Sequence, residues 1–267
     1  MSGIITLTSD FGNRDAYVAT MKGVILSIDP TLRLVDISHE IGAQDVMEAA
    51  FVVQNAAWHF PKGTVHLVVV DPGVGTGRNA LAAELNGQFF VGADNGLFTL
   101  LSSGNGEGWT GSAVLLDKPE YWYVSNPSST FHGRDIFASV AAHLASGAKL
   151  EQVGTPTSNI MRLRWATPFA DDQGLQGWIV QIDHYGNCIT NISRNVYENF
   201  DRQRSPKCYV GTSILEGLSR TYDDATAGEP ILLFGSSGFL EVAINRGNAA
   251  RLLSIRKGDP INIVFSE

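Results

Sequence analysis

Apolar and polar positions in the first part of the chain follow a repeating order of strand-like and helix-like segments. Runs of apolar and β-branched residues predict strands, and apolar residues three or four positions apart predict helices. We expect strands at residues 4–8, 32–38, 64–70, 81–85 and 88–92, and helices at 17–28, 45–60 and 135–146. Asn86-Gly87 predicts a tight hairpin between the last two strands. The β-α-β-α-β order indicates an α/β domain with a mainly parallel central sheet.

The pattern changes beyond residue 160, where helical periodicity nearly disappears. Short apolar segments separated by Gly, Asp, Ser and Asn predict strands at 177–183, 208–210, 230–234, 240–244 and 261–265. Closely spaced short strands are typical of a small all-β domain, here expected to be barrel-like. Pro156 and Pro168 interrupt the pattern between the two parts. We therefore divide the chain into domains 1–160 and 161–267.

Composition and charge restrict the class of protein. The 267 residues are 44% hydrophobic and 17% charged, with a net charge of −8 and no stripe of Lys and Arg, which argues against nucleic-acid binding. No apolar run approaches the roughly 18 residues of a membrane helix, and no basic-then-apolar segment opens the chain. We expect a cytoplasmic protein that does not enter a membrane. Cys188 and Cys208 lack CxxC spacing, so we expect reduced, partly buried thiols rather than a zinc site or a disulfide.

Charged residues follow the predicted strands. Asp71 comes directly after the strand at 64–70, and a loop with three glycines separates it from Arg78. Asp10 follows the first strand, and His132 stands just before the last predicted helix of the domain. Open α/β sheets bind ligands outside the carboxyl ends of their strands. These residues therefore predict a site made of acid, arginine and histidine.

Each of these features also has a structural interpretation. An Asp71–Arg78 ion pair explains the loop as well as a catalytic pair does. Asp10 is suited to accept hydrogen bonds from ribose hydroxyls, or to cap the following helix. His132 on its own fits a structural histidine. The glycine loop lacks the GxxxxGK[ST] pattern, which disfavours a phosphate cradle.

The second domain carries one distinctive segment, Asp-His-Tyr-Gly-Asn at residues 183–187. An aromatic ring beside Gly and Asn is suited to stack on a purine and hydrogen-bond its edge, although a simple β-turn uses the same residues. Ser236 and Ala249 lie in small, polar segments that are expected to be loops.

Several short motifs, taken together and in order, resemble one known family. They are Thr-Leu-Thr-Ser-Asp-Phe-Gly at 6–12, Asp-Ile-Ser-His at 36–39, Val-Asp-Pro-Gly-Val-Gly at 70–75, Asp-Asn-Gly at 94–96, Phe-His-Gly-Arg-Asp at 131–135 and Gly-Asn-Ala-Ala at 247–250. The chain resembles the S-adenosyl-L-methionine (SAM) hydroxide adenosyltransferases, relatives of the fluorinase and the chlorinase, over nearly its whole length.

The resemblance implies hydrolysis of SAM to adenosine and L-methionine without a metal or organic cofactor. It implies a homotrimer whose sites lie between one subunit's N-terminal domain and its neighbour's C-terminal domain. It also assigns roles to residues of this chain: the water-activating triad to Asp71, Arg78 and His132, ribose binding to Asp10, adenine binding to Tyr185, Asn187 and the backbone of Ala249, and methionine binding to Asp183 and Ser236. Within the triad, we expect Asp71 to orient the water and a neutral His132 to act as general base.

The chain departs from the family pattern at two positions. Tyr185 stands where Phe is frequent, and Ser237 stands where Arg is frequent. The second change affects the implied methionine contacts most directly.

Three other functions are considered. A halide-using 5′-halo-5′-deoxyadenosine synthase shares the scaffold, but such enzymes lack the triad that is retained here. An adenosine or SAM sensor would have no use for a water-activating group. A phosphate-cleaving hydrolase would need the phosphate-loop lysine, which is absent from the glycine loop.

Overall fold

The computed structural model describes residues 2–102, 110–163, 166–199 and 206–265, and the chain divides into two compact units, Met1–Leu163 and Arg164–Glu267. Within the described residues, the first unit contains three α-helices and seven strands. They are β1 (Ile4–Ser9), α1 (Tyr17–Ile28), β2 (Arg33–Ser38), α2 (Val46–Ala57), β3 (Val65–Val69), β4 (Ala80–Leu85), β5 (Gln88–Ala93), β6 (Ser112–Leu115), α3 (Ala138–Ala145) and β7 (Thr155–Pro156).

These seven strands form one sheet in the order β2-β1-β3-β5-β4-β6-β7. The first four strands run parallel, whereas β4, β6 and β7 are added by antiparallel pairing. The predicted α/β character is confirmed, but the expectation of a mainly parallel sheet is corrected to a mixed one. The reason is the confirmed hairpin at Asn86-Gly87, where both residues have positive φ (53° and 78°) and return the chain antiparallel after two residues.

Helix ends in this unit follow local signals. The Asp45 side chain accepts a hydrogen bond from the Glu48 backbone N–H at 2.9 Å and so caps the start of α2. The helix expected at 135–146 is preceded by a π-helical turn, Gly133–Phe137, which leads directly into α3. This turn immediately follows His132, and π-helical turns recur at functional sites.

The second unit is an antiparallel sheet that nearly closes on itself. The prediction of an all-β, barrel-like domain is confirmed. Its strands are β8 (Phe169–Asp171), β9 (Gly174–Ile182), β10 (Cys188–Ser193), β11 (Pro206–Val210), β12 (Ser213–Glu216), β13 (Pro230–Phe234), β14 (Phe239–Ile244) and β15 (Pro260–Phe265). Seven of them follow the order β12-β11-β15-β9-β10-β14-β13, and β8 pairs with β9. Two short helices, α4 (Arg194–Glu198) and α5 (Ala249–Leu252), accompany the strands.

The barrel interior holds both cysteines among apolar residues such as Leu240, Val242 and Ile263. Cys188 and Cys208 are free thiols that are fully rather than partly buried. Burial raises the pKa of each thiol to about 12, so neither forms the reactive thiolate near neutral pH. Among the described residues, no helix is long and apolar enough to cross a membrane.

Candidate active site

The parallel pairing of β1 with β3 brings two of the predicted acids to one edge of the sheet. Ser9 lies opposite Val69, so Asp10 and Asp71 both follow strand ends at that edge. A cleft of about 270 Å³ opens there. Its polar lining includes Asp10, Gln44, Asp71 and His132, and its apolar lining includes Phe11 and Phe131. The first unit therefore has a concave site where α/β sheets commonly bind ligands.

Arg78 joins the other two members of the triad. Its Nε donates to Asp71 Oδ1 at 2.8 Å, and its Nη2 donates both to Asp71 Oδ2 and to His132 Nδ1, the latter at 3.0 Å. Its Nη1 donates to the Asn79 carbonyl at 3.1 Å, and the guanidinium lies over the Phe137 ring. The side chains of Asp71 and Arg78 are only 6% and 9% exposed. The pair is therefore a nearly desolvated, bidentate ion pair with little freedom to move.

The contact with Arg78 determines the tautomer of His132. A guanidinium carries only donors, so His132 Nδ1 must accept and the proton of the neutral ring must be on Nε2. Burial lowers the pKa of His132, and the Arg78 charge lowers it further, against the opposing effects of Asp71 and Asp135. His132 is therefore neutral near pH 7, with its lone pair engaged by Arg78 and an N–H group left to donate.

A close backbone contact aligns the two loops that carry the triad. Gly75 has a φ of +75°, and a Cβ added to it would lie 2.1 Å from the carbonyl oxygen of Ser129. The glycine loop therefore packs directly on the segment that leads into His132, and only a residue without a side chain permits this approach. Gly77, two residues further on, has open space around it.

Asp10 is held by a neighbouring loop but keeps one oxygen available. Its Oδ2 accepts the backbone N–H of Gln44 at 2.8 Å. Its Oδ1 makes no hydrogen bond to any residue that the structure describes. The carboxylate faces the cleft in an orientation suited to accept a ligand hydroxyl, and neither helix α1 nor α2 uses it as a cap.

The second unit has a separate cleft of about 600 Å³ around the distinctive segment. Asp183, Tyr185 and Asn187 line it together, and the carboxylate of Asp183 accepts the N–H groups of Tyr185 and Asn187 and the Asn187 side-chain amide. Tyr185 is 74% exposed, which leaves its side chain available for stacking.

Two implied ligand residues of the second unit are positioned differently from each other. Ala249 is buried as the first residue of α5, a helix that replaces the expected loop because Asn248 caps it by accepting the Arg251 N–H at 2.8 Å. Asn248 lines the cleft beside Gly247. Ser236 is exposed in the turn between β13 and β14 and is not one of the residues that line this cleft.

Sequence reasoning did not identify several lining residues. Gln44, Tyr222, Arg246 and Arg251 also line the two clefts. Tyr222 donates its hydroxyl hydrogen to Glu241 Oε1, and burial raises the pKa of that carboxyl against the lowering effect of this hydrogen bond. Arg246 and Arg251 flank the Gly-Asn-Ala-Ala motif at 247–250, whereas Gln44 and Tyr222 stand in no motif that would distinguish them. Within the described residues, no group of three or more His, Cys, Asp or Glu side chains is arranged to hold a metal ion.

Comparison with known families matches both units. The model of the SAM hydroxide adenosyltransferase N-terminal domain matches residues 5–154. The model of the C-terminal domain of that family matches residues 177–262.

Individual relatives match at nearly full length. An (R)-S-adenosyl-L-methionine hydrolase of Thermus thermophilus is 37% identical, with 96% of this chain and 97% of the relative covered. A fluorinase of Nocardia brasiliensis is 29% identical, with 97% and 96% covered. The crystal structure of a conserved protein from Thermotoga maritima superposes with a TM-score of 0.87 at 36% identity, covering 98% of this chain and 99% of that one.

Proposed function

The chain belongs to the SAM hydroxide adenosyltransferase family, and from this membership we propose that it hydrolyses SAM to adenosine and L-methionine. Four relatives named (R)-S-adenosyl-L-methionine hydrolase are 32% to 37% identical over nearly full length. The observation that carries the proposal is the hydrogen-bonded Asp71–Arg78–His132 network beside a cleft, because a charged, hydrogen-bonding group of this kind is suited to hold water.

The proposed reaction is an in-line displacement at C5′ of the substrate. The water oxygen forms a bond to C5′ while the C5′–sulfur bond breaks. The electron pair of the C5′–sulfur bond stays on sulfur. The sulfonium thereby becomes the neutral thioether of methionine, and the water loses one proton. Bulk water has a pKa of about 15.7, so the protein has to orient the water and provide an acceptor for the proton that it loses. Holding the oxygen about 3–3.5 Å from C5′ and opposite sulfur supplies much of the rate.

We assign the orientation of the water to Asp71. Both of its oxygens receive hydrogen bonds from Arg78, yet each carboxylate oxygen has a second lone pair that can accept from water. Arg78 stabilises the hydroxide-like charge that develops on the water and prevents Asp71 from turning away. Asp71 is therefore the proposed first acceptor of the water's proton.

The role of His132 differs from the one expected from sequence. With Nδ1 accepting from Arg78 and the proton on Nε2, the ring donates and does not act as a base in this arrangement. Accepting a proton would require Arg78 to release Nδ1. We propose that the Nε2–H of His132 helps to hold the nucleophilic oxygen, and that its rate contribution is positional.

The remaining assignments are proposals of substrate binding. Asp10 binds the ribose hydroxyls through its available oxygen. Tyr185 stacks on adenine, and Asn187 and the Ala249 backbone recognise its edge. Asp183 and Ser236 bind the methionine portion, with Ser236 the least supported because it lies outside the cleft lining.

We further propose the homotrimer that the family resemblance implies, with each site formed by one subunit's first unit and its neighbour's second unit. What supports this is that the implied ligand residues divide between two separate clefts, one in each unit. Cytoplasmic location stays a prediction of the sequence.

The deciding experiment is turnover of SAM in oxygen-18 water, analysed by chromatography and mass spectrometry. We expect adenosine that carries one oxygen-18 atom, together with methionine, and a loss of at least about tenfold in rate for Asp71→Ala, with substrate binding within a few-fold. Unlabelled adenosine would overturn the attack of water at C5′, and an Asp71→Ala variant that is fully active would overturn the assignment of Asp71. Tight binding of SAM without any adenosine would instead identify a binding protein.

A further inference from the structure

A chain of four polar side chains leads to the residue before Asp10, and the proposed reaction does not use it. Lys22 Nζ lies 2.6 Å from Asp36 Oδ2, and Asp36 Oδ1 lies 3.1 Å from His39 Nε2. His39 Nδ1 in turn lies 2.7 Å from Ser9 Oγ. The chain connects α1 and the β2 end to the last residue of β1.

The polarity of this chain follows from its acidic member. A carboxylate can only accept, so His39 Nε2 carries the ring proton and faces Asp36. In the tautomer with that single ring proton, Nδ1 accepts and the Ser9 hydroxyl donates to it. The lone pairs of Ser9 Oγ remain directed toward the backbone N–H of Phe11, 3.4 Å away. The network therefore fixes the backbone on both sides of Asp10.

Ser9, His39 and Asp36 are the residue types of a nucleophilic triad, but the burial of Ser9 excludes that role. Ser9 is 0% exposed and His39 is 4% exposed, so no substrate reaches the hydroxyl. The only chemistry left to the network is to hold its neighbours in position.

Further contacts join the same two loops. The Gly12 N–H donates to the His39 carbonyl at 2.7 Å, and the Gln44 N–H donates to Asp10 Oδ2 at 2.8 Å. The loop that starts at His39 is therefore hydrogen-bonded to the Asp10 loop at two points, Gly12 and Asp10 itself. A displacement of His39 would move the carboxylate that faces the cleft.

We infer that His39, through Ser9, is a positioning residue for the ribose-binding carboxylate of Asp10, and so for selection of a ribonucleoside over its 2′-deoxy counterpart. This inference rests on the proposed ribose role of Asp10. Asp36 and Lys22 act further back, through the 3.1 Å ion-pair contact of Asp36 Oδ1 with His39 Nε2.

The test compares the dissociation constants of adenosine and 2′-deoxyadenosine by calorimetry in matched variants of the full-length protein. Ser9→Ala removes only the hydroxyl, and His39→Gln retains a donor toward Asp36 but no acceptor toward Ser9. We expect both to lower the preference for adenosine by about 3- to 10-fold, the value of one lost hydrogen bond. Affinity for 2′-deoxyadenosine should stay within about twofold, since its adenine contacts are untouched. His39→Asn, which keeps an acceptor near the position of Nδ1, should recover part of the preference.

The matched control is Thr6→Val. Thr6 is another fully buried hydroxyl of β1, and it lies 2.7 Å from Nδ1 of a different histidine, His66. We expect Thr6→Val to lower stability but to leave the preference for adenosine unchanged.

The outcomes separate the inference from its premise. If Asp10→Ala lowers the preference but Ser9→Ala and His39→Gln do not, the positioning role is wrong and the ribose role stands. If Asp10→Ala lowers the preference while Ser9→Ala and His39→Gln weaken both nucleosides equally, the network is merely structural. If Asp10→Ala leaves the preference unchanged, the ribose role itself fails, and the inference about His39 fails with it.

Discussion

At the scale of single residues, Arg78 determines where the protons of its neighbours are. Four of its hydrogen bonds are to fixed acceptors, two of them the oxygens of Asp71 and one the Nδ1 of His132. A lysine, with a compact ammonium, cannot reproduce this forked geometry. The guanidinium thus keeps Asp71 paired and His132 in the Nε2–H tautomer at the same time.

The pH dependence of turnover should report His132. Protonation of the ring removes the acceptor for Arg78, so activity is retained while the ring is neutral and is lost as pH falls through its folded-state pKa. Because burial and Arg78 lower that pKa in the free protein, we expect the acidic limb of kcat/KM to lie below about pH 6.5, the ordinary value for histidine. A pH–rate profile measures this limb, and a long-range proton–nitrogen NMR spectrum identifies the tautomer and titration of His132. An acidic limb at or above the ordinary value, or a proton on Nδ1, would contradict this account.

At the scale of elements, strand ends and tight loops determine how the site is assembled. The acids that follow β1 and β3 meet because those strands are parallel neighbours. The loop after β3 then returns Arg78 onto Asp71 through Gly75, whose lack of a side chain allows contact with Ser129. The geometry of the triad therefore depends on a backbone contact as well as on its own hydrogen bonds.

Two glycines of that loop allow a matched test. Gly75→Ala forces a Cβ into the Ser129 carbonyl at an unfavourable positive φ, so we expect a loss of about 1–3 kcal/mol in stability and at least about tenfold in kcat. A Cβ added at Gly77 meets nothing within 4 Å, so Gly77→Ala should keep kcat within about twofold and leave the stability nearly unchanged. Thermal unfolding and steady-state kinetics on the two variants give the comparison. Equal behaviour of the two would show that the close contact does not align the triad.

Local sequence patterns predicted the long elements of the fold and missed the short ones. Long periodic segments predicted β1, α1, α2 and β3 well, and Asn86-Gly87 predicted the hairpin, because local chemistry dominates there. β6 and β7 have only four and two residues, so they carry no detectable period, and the antiparallel edge of the sheet was missed with them. The triad residues were identified from strand ends and family resemblance. The tautomer of His132 depends on contacts between segments that are distant in sequence, and so do the hydrogen bonds between the His39 loop and the Asp10 loop. No local pattern encodes such contacts.

At the scale of the whole molecule, the implied ligand residues are divided between the two units. Asp10, Asp71, Arg78 and His132 belong to the first unit, and Asp183, Tyr185 and Asn187 belong to the second. The proposed trimer makes this division testable by mixing subunits.

Two inactive variants should restore activity together. We expect Asp71→Ala and Asn187→Ala each to be inactive or weakened, and their co-refolded mixture to recover about a quarter of the sites, since random assembly of a ring pairs intact units at that frequency. The control mixes Asp71→Ala with His132→Ala, which damage the same unit and should stay inactive. Sedimentation of the wild type measures the oligomer directly. A monomer, or no recovery in the first mixture, would contradict sites shared between subunits.

Global stability should respond to acid through His66, a residue remote from the reaction. His66 is 0% exposed, lies 2.7 Å from Thr6 Oγ1 and stacks on Phe90, and burial lowers its pKa to about 4. The unfolded chain binds the proton near pH 6.5, so this contribution to stability is complete above that value. It declines as pH falls toward 4, by about 3 kcal/mol in total.

Denaturant titrations of the wild type and of His66→Gln between pH 7 and pH 4 measure this effect. The variant should lose much of the acid-dependent slope, while the exposed His59→Gln control should keep it. If the slopes of wild type and His66→Gln are the same, other groups account for acid unfolding.

The central position of Arg78 has an evolutionary consequence. A variant that loses the guanidinium leaves the carboxylate of Asp71 buried without its counter-ion, which costs about 3–5 kcal/mol, a large share of the stability of a typical domain. Losing one charge of the pair is therefore expected to destabilise the protein more than losing both together. We expect Arg78 and Asp71 to be retained together or replaced together in evolution.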